Sequence, residues 1–381
     1  MAQLRLKDET TFASQAPSAY RAGAKCDSDG NIFVQLGYYD PTRMRMEPVQ
    51  GISEVILEDK RVQAYGASPL SQSDYPHASI TSFGVSPDGK VYALIRTRPD
   101  APDGQPKSTP GYYVERFKND GTTDAIMRIE APPGVAHWFA DLLGPFPDGS
   151  LLIAGTITST ATQRGASSWR PFTGIYDSSG RFVREVSLPN DIANQFAKGA
   201  GSVKKSSSAA ALPDGAVARG AENSRAGPQA KTQAPTASPK PRQFFEVSIS
   251  TGGVVSGPDG NVWVLRASDP LRLYAVDSAG DVVEHAEFSP PTAGLTPFAF
   301  GFAGSEQIFF DFVRFAGPTA ASGPSEVLAV FNTVSRQLEL LYDLPKINKG
   351  LSVLGCSDGR GGFFYLGSTP EGRLLVDDYS P

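Results

Sequence analysis

Residues 252–288 read GGVVSGPDGNVWVLRASDPLRLYAVDSAGDVVEHAEF. Four short apolar runs lie in this stretch, around Val254, from Val262 to Leu265, from Leu273 to Val276 and from Val282 to Phe288. A turn signal breaks each from the next. Pro258-Asp259-Gly260 and Ser278-Ala279-Gly280 supply tight reversals, because glycine accepts positive φ and aspartate bonds its own backbone. Four strands joined this way form an antiparallel meander with two faces to cover. One such sheet cannot cover both alone, so it needs copies of itself.

The copies are present. The turn motif recurs as DSDGNIFVQL from Asp27, SPDGKVYALI from Ser86, FPDGSLLIAG from Phe146 and GPDGNVWVLR from Gly257. Weaker forms are AGSEQIFFDF from Ala303 and SDGRGGFFYL from Ser357. The motif glycines Gly30, Gly89 and Gly149 stand 59 and 60 residues apart. A second hairpin signature follows at a distance: RFKNDGTTDAIMRI, IYDSSGRFVREVSL, YAVDSAGDVVEHAEF and VFNTVSRQLELLYDL. Repetition of a four-strand unit at this period predicts a β-propeller, all-β, with four-stranded antiparallel blades.

The predicted blades are 19–67, 78–130, 139–188, 244–288, 298–344 and a sixth from 351. The sixth runs out of chain after its third strand, Leu374-Leu375-Val376. The alternating segment Gln3-Leu4-Arg5-Leu6-Lys7 is the natural donor of the missing strand, closing the ring and removing a free sheet edge. The whole chain, 1–381, then reads as one propeller domain. Residues 190–242 interrupt it with small, polar, proline-rich sequence that cannot bury enough apolar surface to offset its ordering entropy, so a mobile surface insertion is expected there. Within it, Leu212-Pro213-Asp214-Gly215 repeats the turn motif and leaves a seven-bladed alternative open.

Composition bounds the rest. Gly 39 and Pro 31 suit many short strands, and 40% hydrophobic content suffices for a core. A formal net charge of −5 argues against general nucleic-acid binding, which wants a concentrated basic face. No apolar run reaches the roughly 20 residues of a membrane span. The start, MAQLRLKDET, has no apolar signal core. The chain is then cytosolic or a mature secreted form, and low lysine with abundant Ser/Thr/Gly/Pro inclines the reading towards an extracytoplasmic bacterial protein, secreted or periplasmic. Cys26 and Cys356 both immediately precede turn motifs, and are expected at like positions on the first and last blades. They read either as a disulfide across the ring's seam or as two small buried thiols.

The pattern PDGNVWV followed by YAVDSAGDVV resembles the repeat of NHL-type, SMP-30/gluconolactonase-like and streptogramin-lyase-like propellers. The resemblance covers the blades and not the insertion. It implies architecture more than chemistry, since such propellers include lactonases, lyases, binding modules and scaffolds.

Candidate site residues follow from loop placement. Long second-to-third connections at 37–51, 97–111, 156–170 and 314–325 share one face with the entries to the innermost strands, and elaborated loops are where function concentrates. His77 and His137 each lie ten residues before the motif prolines Pro87 and Pro147, so both enter innermost strands of neighbouring blades from that face. Two imidazoles at a channel mouth suit a divalent metal or a general base. The streptogramin-lyase-like resemblance implies functional histidines on this face. A metal would need carboxylates as well, with Asp74 and Asp141 nearby. The same face carries Tyr38, Arg96, Arg98, Trp138, Trp169 and Arg170, an arginine and aromatic composition suited to anionic or glycan ligands. No GxSxG elbow, HExxH, P-loop or CxxC occurs. The aspartates of the PDG turns recur as turn chemistry and so do not mark a calcium array. The leading expectation is a binding or scaffold propeller for a small molecule, peptide or glycan. The competing one is a metal-assisted lyase or hydrolase at His77 and His137.

Overall fold

The computed structural model describes residues 2–15, 24–27, 30–34, 37–40, 45–48, 51–66, 78–97, 111–159, 169–189, 253–266, 270–314, 326–343, 353–358, 360–369, 371 and 373–381. The expected insertion at 190–242 lies outside them. Every regular element among the described residues is a strand.

The chain opens with β1 (Ala2–Gln3) and β2 (Arg5–Gln15), whose partners come last in sequence. Blade one is β3 (Ala24–Cys26), β4 (Ile32–Val34), β7 (Ile52–Ile56) and β8 (Arg61–Tyr65), with a side hairpin of β5 (Gly37–Asp40) and β6 (Arg45–Pro48) between its second and third strands. Blade two is β9 (Ser79–Val85), β10 (Val91–Thr97), β11 (Gly111–Phe117) and β12 (Thr123–Ile129). Blade three is β13 (Val135–Pro145), β14 (Leu151–Ser159), β15 (Trp169–Tyr176) and β16 (Phe182–Glu185). Blade four is β17 (Val254–Ser256), β18 (Val262–Arg266), β19 (Leu271–Val276) and β20 (Val282–Phe288). Blade five is β21 (Thr296–Phe302), β22 (Gln307–Val313), β23 (Glu326–Asn332) and β24 (Gln337–Asp343). Blade six is β25 (Val353–Ser357), β26 (Phe363–Ser368), β27 (Arg373–Ser380) and, outermost, β2. The fold is a six-bladed β-propeller.

The first hairpin of each blade shows why the PDG motif recurs. In blade three Phe146 and Ser150 close the turn (Phe146 N–H to Ser150 O, 2.9 Å), and Gly149 sits at φ 84. Asp148 Oδ1 accepts the Ser150 N–H at 2.8 Å. Aspartate satisfies the backbone the turn exposes and glycine takes the left-handed residue. Gly30, Gly89 and Gly260 repeat the conformation at φ 82, 77 and 81.

The core is divided among the seams between blades. Phe33, Tyr65, Phe83 and Phe117 join blades one and two, and Tyr112, Leu143, Ile153 and Phe172 join two and three. Leu152, Ile175, Val264 and Tyr274 fill the seam of three and four, while Leu273, Phe288, Phe310 and Phe331 fill that of four and five. Phe309, Tyr342, Phe363 and Tyr365 join five and six, and Phe12, Val55, Leu366 and Val376 join six and one. Each sheet hides its two faces on two neighbours, as a lone meander cannot. Blades three and four pack directly, with Ser256 Oγ donating to Pro145 O at 2.6 Å and Arg266 Nη2 to Thr173 Oγ1 at 2.7 Å. That seam leaves no place for a blade between them, so the seven-bladed alternative does not hold.

Closure is as expected and goes further. β2 runs antiparallel to β27, pairing Arg5 with Ser380 and Thr10 with Val376, and it buries Phe12 to 1% exposure. β1 adds in parallel to β24 of blade five, so the N-terminus ties two blades. Cys26 and Cys356 form a disulfide, with Cα atoms 5.9 Å apart, across the seam of blades six and one. The reading of two free thiols is thereby overturned. Nor are the two cysteines at like positions. The turn-closing bonds Asp27 N–H to Asn31 O and Asp358 N–H to Gly362 O put Cys356 level with Lys25, one residue out of step.

Candidate functional site

The channel has two ends. At the end where the inner strands begin, β13 carries His137, exposed and paired in register with Thr158, and then Trp138. Trp138 does not stand out into solvent. Its ring lies 4.8 Å from that of Tyr112 and 6.4 Å from those of Phe172 and Tyr176, inside the seam of blades two and three. A register shift between Ala140 and Leu142 makes Asp141 a bulge residue, half-buried, and burial raises its carboxyl above the ordinary range while Arg96 draws it back. Arg96 lies over the Phe139 ring at 4.8 Å. Arg170 is engaged by Glu185 through a two-pronged ion pair, one arm of which is 2.9 Å. Tyr38 and Trp169 lie on β5 and β15, with their side chains outside the described set. His77, Asp74 and Arg98 also lie outside the described residues. Among the described residues no group of three or more His, Cys, Asp or Glu is placed to hold a metal.

The other end, where the PDG turns gather, holds a cavity of about 260 Å³ on the axis. Blades one, two, four, five and six contribute to it, through residues that include Lys25, Pro87, Val255, Phe302 and Ser357. The repeat explains the space. Two residues before each turn start, the inner strands carry Lys25, Gly84, Gly144, Val255, Gly301 and Cys356 in blade order. Half of this ring is glycine because the blades close tightly there: a Cβ on Gly84 would meet Pro145 Cδ at 2.4 Å, and one on Gly144 would meet Val262 Cγ1 at 2.4 Å. Lys25 is the exception, a long cationic side chain where its counterparts have little or none.

Lys25 is 8% exposed, and its ammonium crosses from blade one to the Val254 carbonyl of blade four. Inner strands have no further strand beside them, so their edge carbonyls need other donors, and Lys25 serves one. Burial pulls the Lys25 amine down to about 8 from the usual 10.5. Asp27 and Asp358 also reach the cavity wall, but their carboxylates are engaged in their turns. Asp27 takes the Asn31 N–H and side-chain amide at 2.9 and 2.8 Å. Asp358 Oδ1 takes the Arg360 and Gly362 N–H groups, each at 2.7 Å. Loop composition drew the sequence reading to the opposite face. The signal for this end was one lysine in an alignment slot otherwise filled by glycine, valine or cysteine.

A further polar group is internal. Asp311 and Glu326 of blade five hydrogen-bond to each other in the seam with blade six, close enough to the phenol of Tyr365 for their charges to act on it. Burial raises both carboxyls, Asp311 most, with Glu326 adding to the rise.

No protein-family model and no curated protein matches this chain. Among solved structures it is similar to a protein of unknown function from Dyadobacter fermentans DSM 18053, at 10% identity over 100% of each chain with a TM-score of 0.53. A luciferin-regenerating enzyme shares 7% identity over 98% of this chain and 95% of that one, with a TM-score of 0.47. A Hadza microbial sialidase shares 9% over 95% and 65%, also at 0.47. Likeness at such identity bears on the fold alone. No family match places the chain among NHL-type or SMP-30-like propellers, so its resemblance to them stays at the level of architecture.

Proposed function

We propose that this chain is a binding propeller that takes a small ligand at the axial cavity on the PDG-turn end. The observation that supports it is the cavity itself, about 260 Å³, with a buried cationic side chain in its wall. Concave sites with apolar walls and a few convergent polar groups are where small ligands bind. The inner strands around it are held by five blades and a disulfide, so the site is built on rigid elements. Thermal-shift screening of small molecules against the full chain and a Ser305→Trp variant tests this, because exposed Ser305 lines the cavity and a tryptophan there would obstruct it. Compounds that stabilise the parent and not the variant are expected. Compounds that stabilise both equally would refute it.

A second reading keeps recognition on the arginine and aromatic loop face, with Arg96 over Phe139 at the opposite channel end, and with Tyr38, Arg98 and Trp169 as further proposed contacts. Its ligand would be a peptide or glycan. Of that set, Trp138 and Arg170 already have protein partners, which favours the axial cavity. A metal-assisted lyase or hydrolase at His77 and His137, with Asp74 and Asp141, is the less favoured proposal. The disulfide supports an extracytoplasmic location, where such bonds persist. No helix among the described residues is long and apolar enough to cross a membrane.

A further inference from the structure

The position of Lys25 says more about what the cavity holds. Among the described residues its ammonium has one hydrogen-bond partner, the neutral carbonyl of Val254, and no carboxylate pairs with it. An ammonium at 8% exposure with a single carbonyl partner has donors left to satisfy. Burying such a charge without a counter-ion is costly, and an anion delivered from solvent would remove the cost. The two acids that share the cavity wall, Asp27 and Asp358, accept hydrogen bonds from their own turns and form no ion pair with Lys25, whose amine is shifted by burial alone. Cys26, also in the wall, is oxidised and carries no charge.

Cavity size and lining narrow the class. A volume of about 260 Å³ exceeds what a single hydrated ion needs, given about 30 Å³ for one water. Val255, Pro87, Pro258 and Phe302 give the wall an apolar part beside the ammonium. Resting on the axial-cavity reading, we propose that the site binds a small organic carboxylate, its head on the Lys25 ammonium and its apolar body against Val255, Pro258 and Phe302. Nothing covalent is involved; the ligand exchanges for water, and the carboxylate accepts the hydrogen bonds the amine has spare.

The test is calorimetric titration of the full chain with benzoate, with benzamide as its neutral isostere and inorganic phosphate as an anion lacking an apolar body. Benzoate is expected to bind once per chain, and benzamide and phosphate at least about tenfold more weakly, as a charge-assisted hydrogen bond requires. Lys25→Met should reduce benzoate to the benzamide level. Lys25→Gln, which keeps a donor for Val254 without the charge, should do the same and stands in if the methionine variant does not fold. Benzoate affinity should be level below about pH 8 and weaken about tenfold per unit above it, as the amine of Lys25 loses its proton. Equal binding of benzoate and benzamide, both lost in Ser305→Trp, would overturn the carboxylate assignment and leave the cavity's binding role standing. Phosphate binding as tightly as benzoate would overturn the apolar body. No binding by any probe at millimolar concentration would overturn the carboxylate assignment, and binding that Ser305→Trp leaves unchanged would overturn both readings.

Discussion

Removing the bond between Cys26 and Cys356 should destabilise the ring by several kcal/mol without unfolding it. The two residues are 330 apart in sequence, so the bridge cross-links nearly the whole chain. In the chain-entropy account a loop of that length costs the unfolded state about 19 cal/mol/K, or about 6 kcal/mol at 25 °C; native disulfides more often return about 2–5. The folded ring has a second clasp, since β2 pairs along β27 and buries Phe12 in the same seam. The bridge therefore acts mainly on the unfolded chain. Urea unfolding followed by far-UV circular dichroism measures this on oxidised protein, reduced protein and a Cys26→Ala/Cys356→Ala variant. Reduced and variant proteins should keep the native spectrum, lose about 3–5 kcal/mol and show steeper transitions, because an uncross-linked unfolded chain exposes more surface. A variant with the parent's midpoint and slope would refute the reasoning, as would one that has lost its sheet content before any urea is added.

Further outcomes follow from the closing strand and from the buried ionisable groups. Phe12→Ala should cost about 3–5 kcal/mol, and deletion of residues 2–15 should leave β27 an open edge that associates, checked by denaturation and light scattering. Asp311 and Glu326 have carboxyls raised in the folded state, so the unfolded chain sheds those protons first as pH rises. Stability should then fall from about pH 4 upward through the pair's folded range, and Asp311→Asn should flatten that fall in melting temperatures taken against pH. Lys25 behaves in the opposite sense: its folded amine titrates near 8 and its unfolded one near 10.5, so between these values the unfolded chain binds more protons and stability should rise with pH. Lys25→Met should abolish that rise and be more stable at neutral pH by roughly 3 kcal/mol, the cost of the shift.

The architecture was legible because its determinants are local. A PDG turn is readable in four residues, a strand in about six, and their recurrence needs no knowledge of what touches what. Closure was legible too, since Leu4 and Leu6 alternate with polar residues and the sixth blade lacked a strand. The length of that closing strand, to Gln15, and the parallel pairing of β1 on blade five were not, because they depend on which edges remain open once the ring is assembled. The site was harder for the same reason. Trp138 reads as a rim aromatic beside His137, yet it lies against Tyr112 of the preceding blade, a neighbour that only the seam creates. Lys25 reads as an ordinary charge before a cysteine. Its meaning comes from Val254, 229 residues away, and from the glycines that fill its slot in three other blades.

The most direct test of the axial site is the titration of the lysine side chains by carbon-13 NMR, with Lys25→Met used to assign the Lys25 ε-carbon. The account predicts one resonance, absent from the variant, with a midpoint near 8 in the free protein that moves upward when benzoate is added. A Lys25 signal that titrates with the others near 10.5 and ignores benzoate would contradict it.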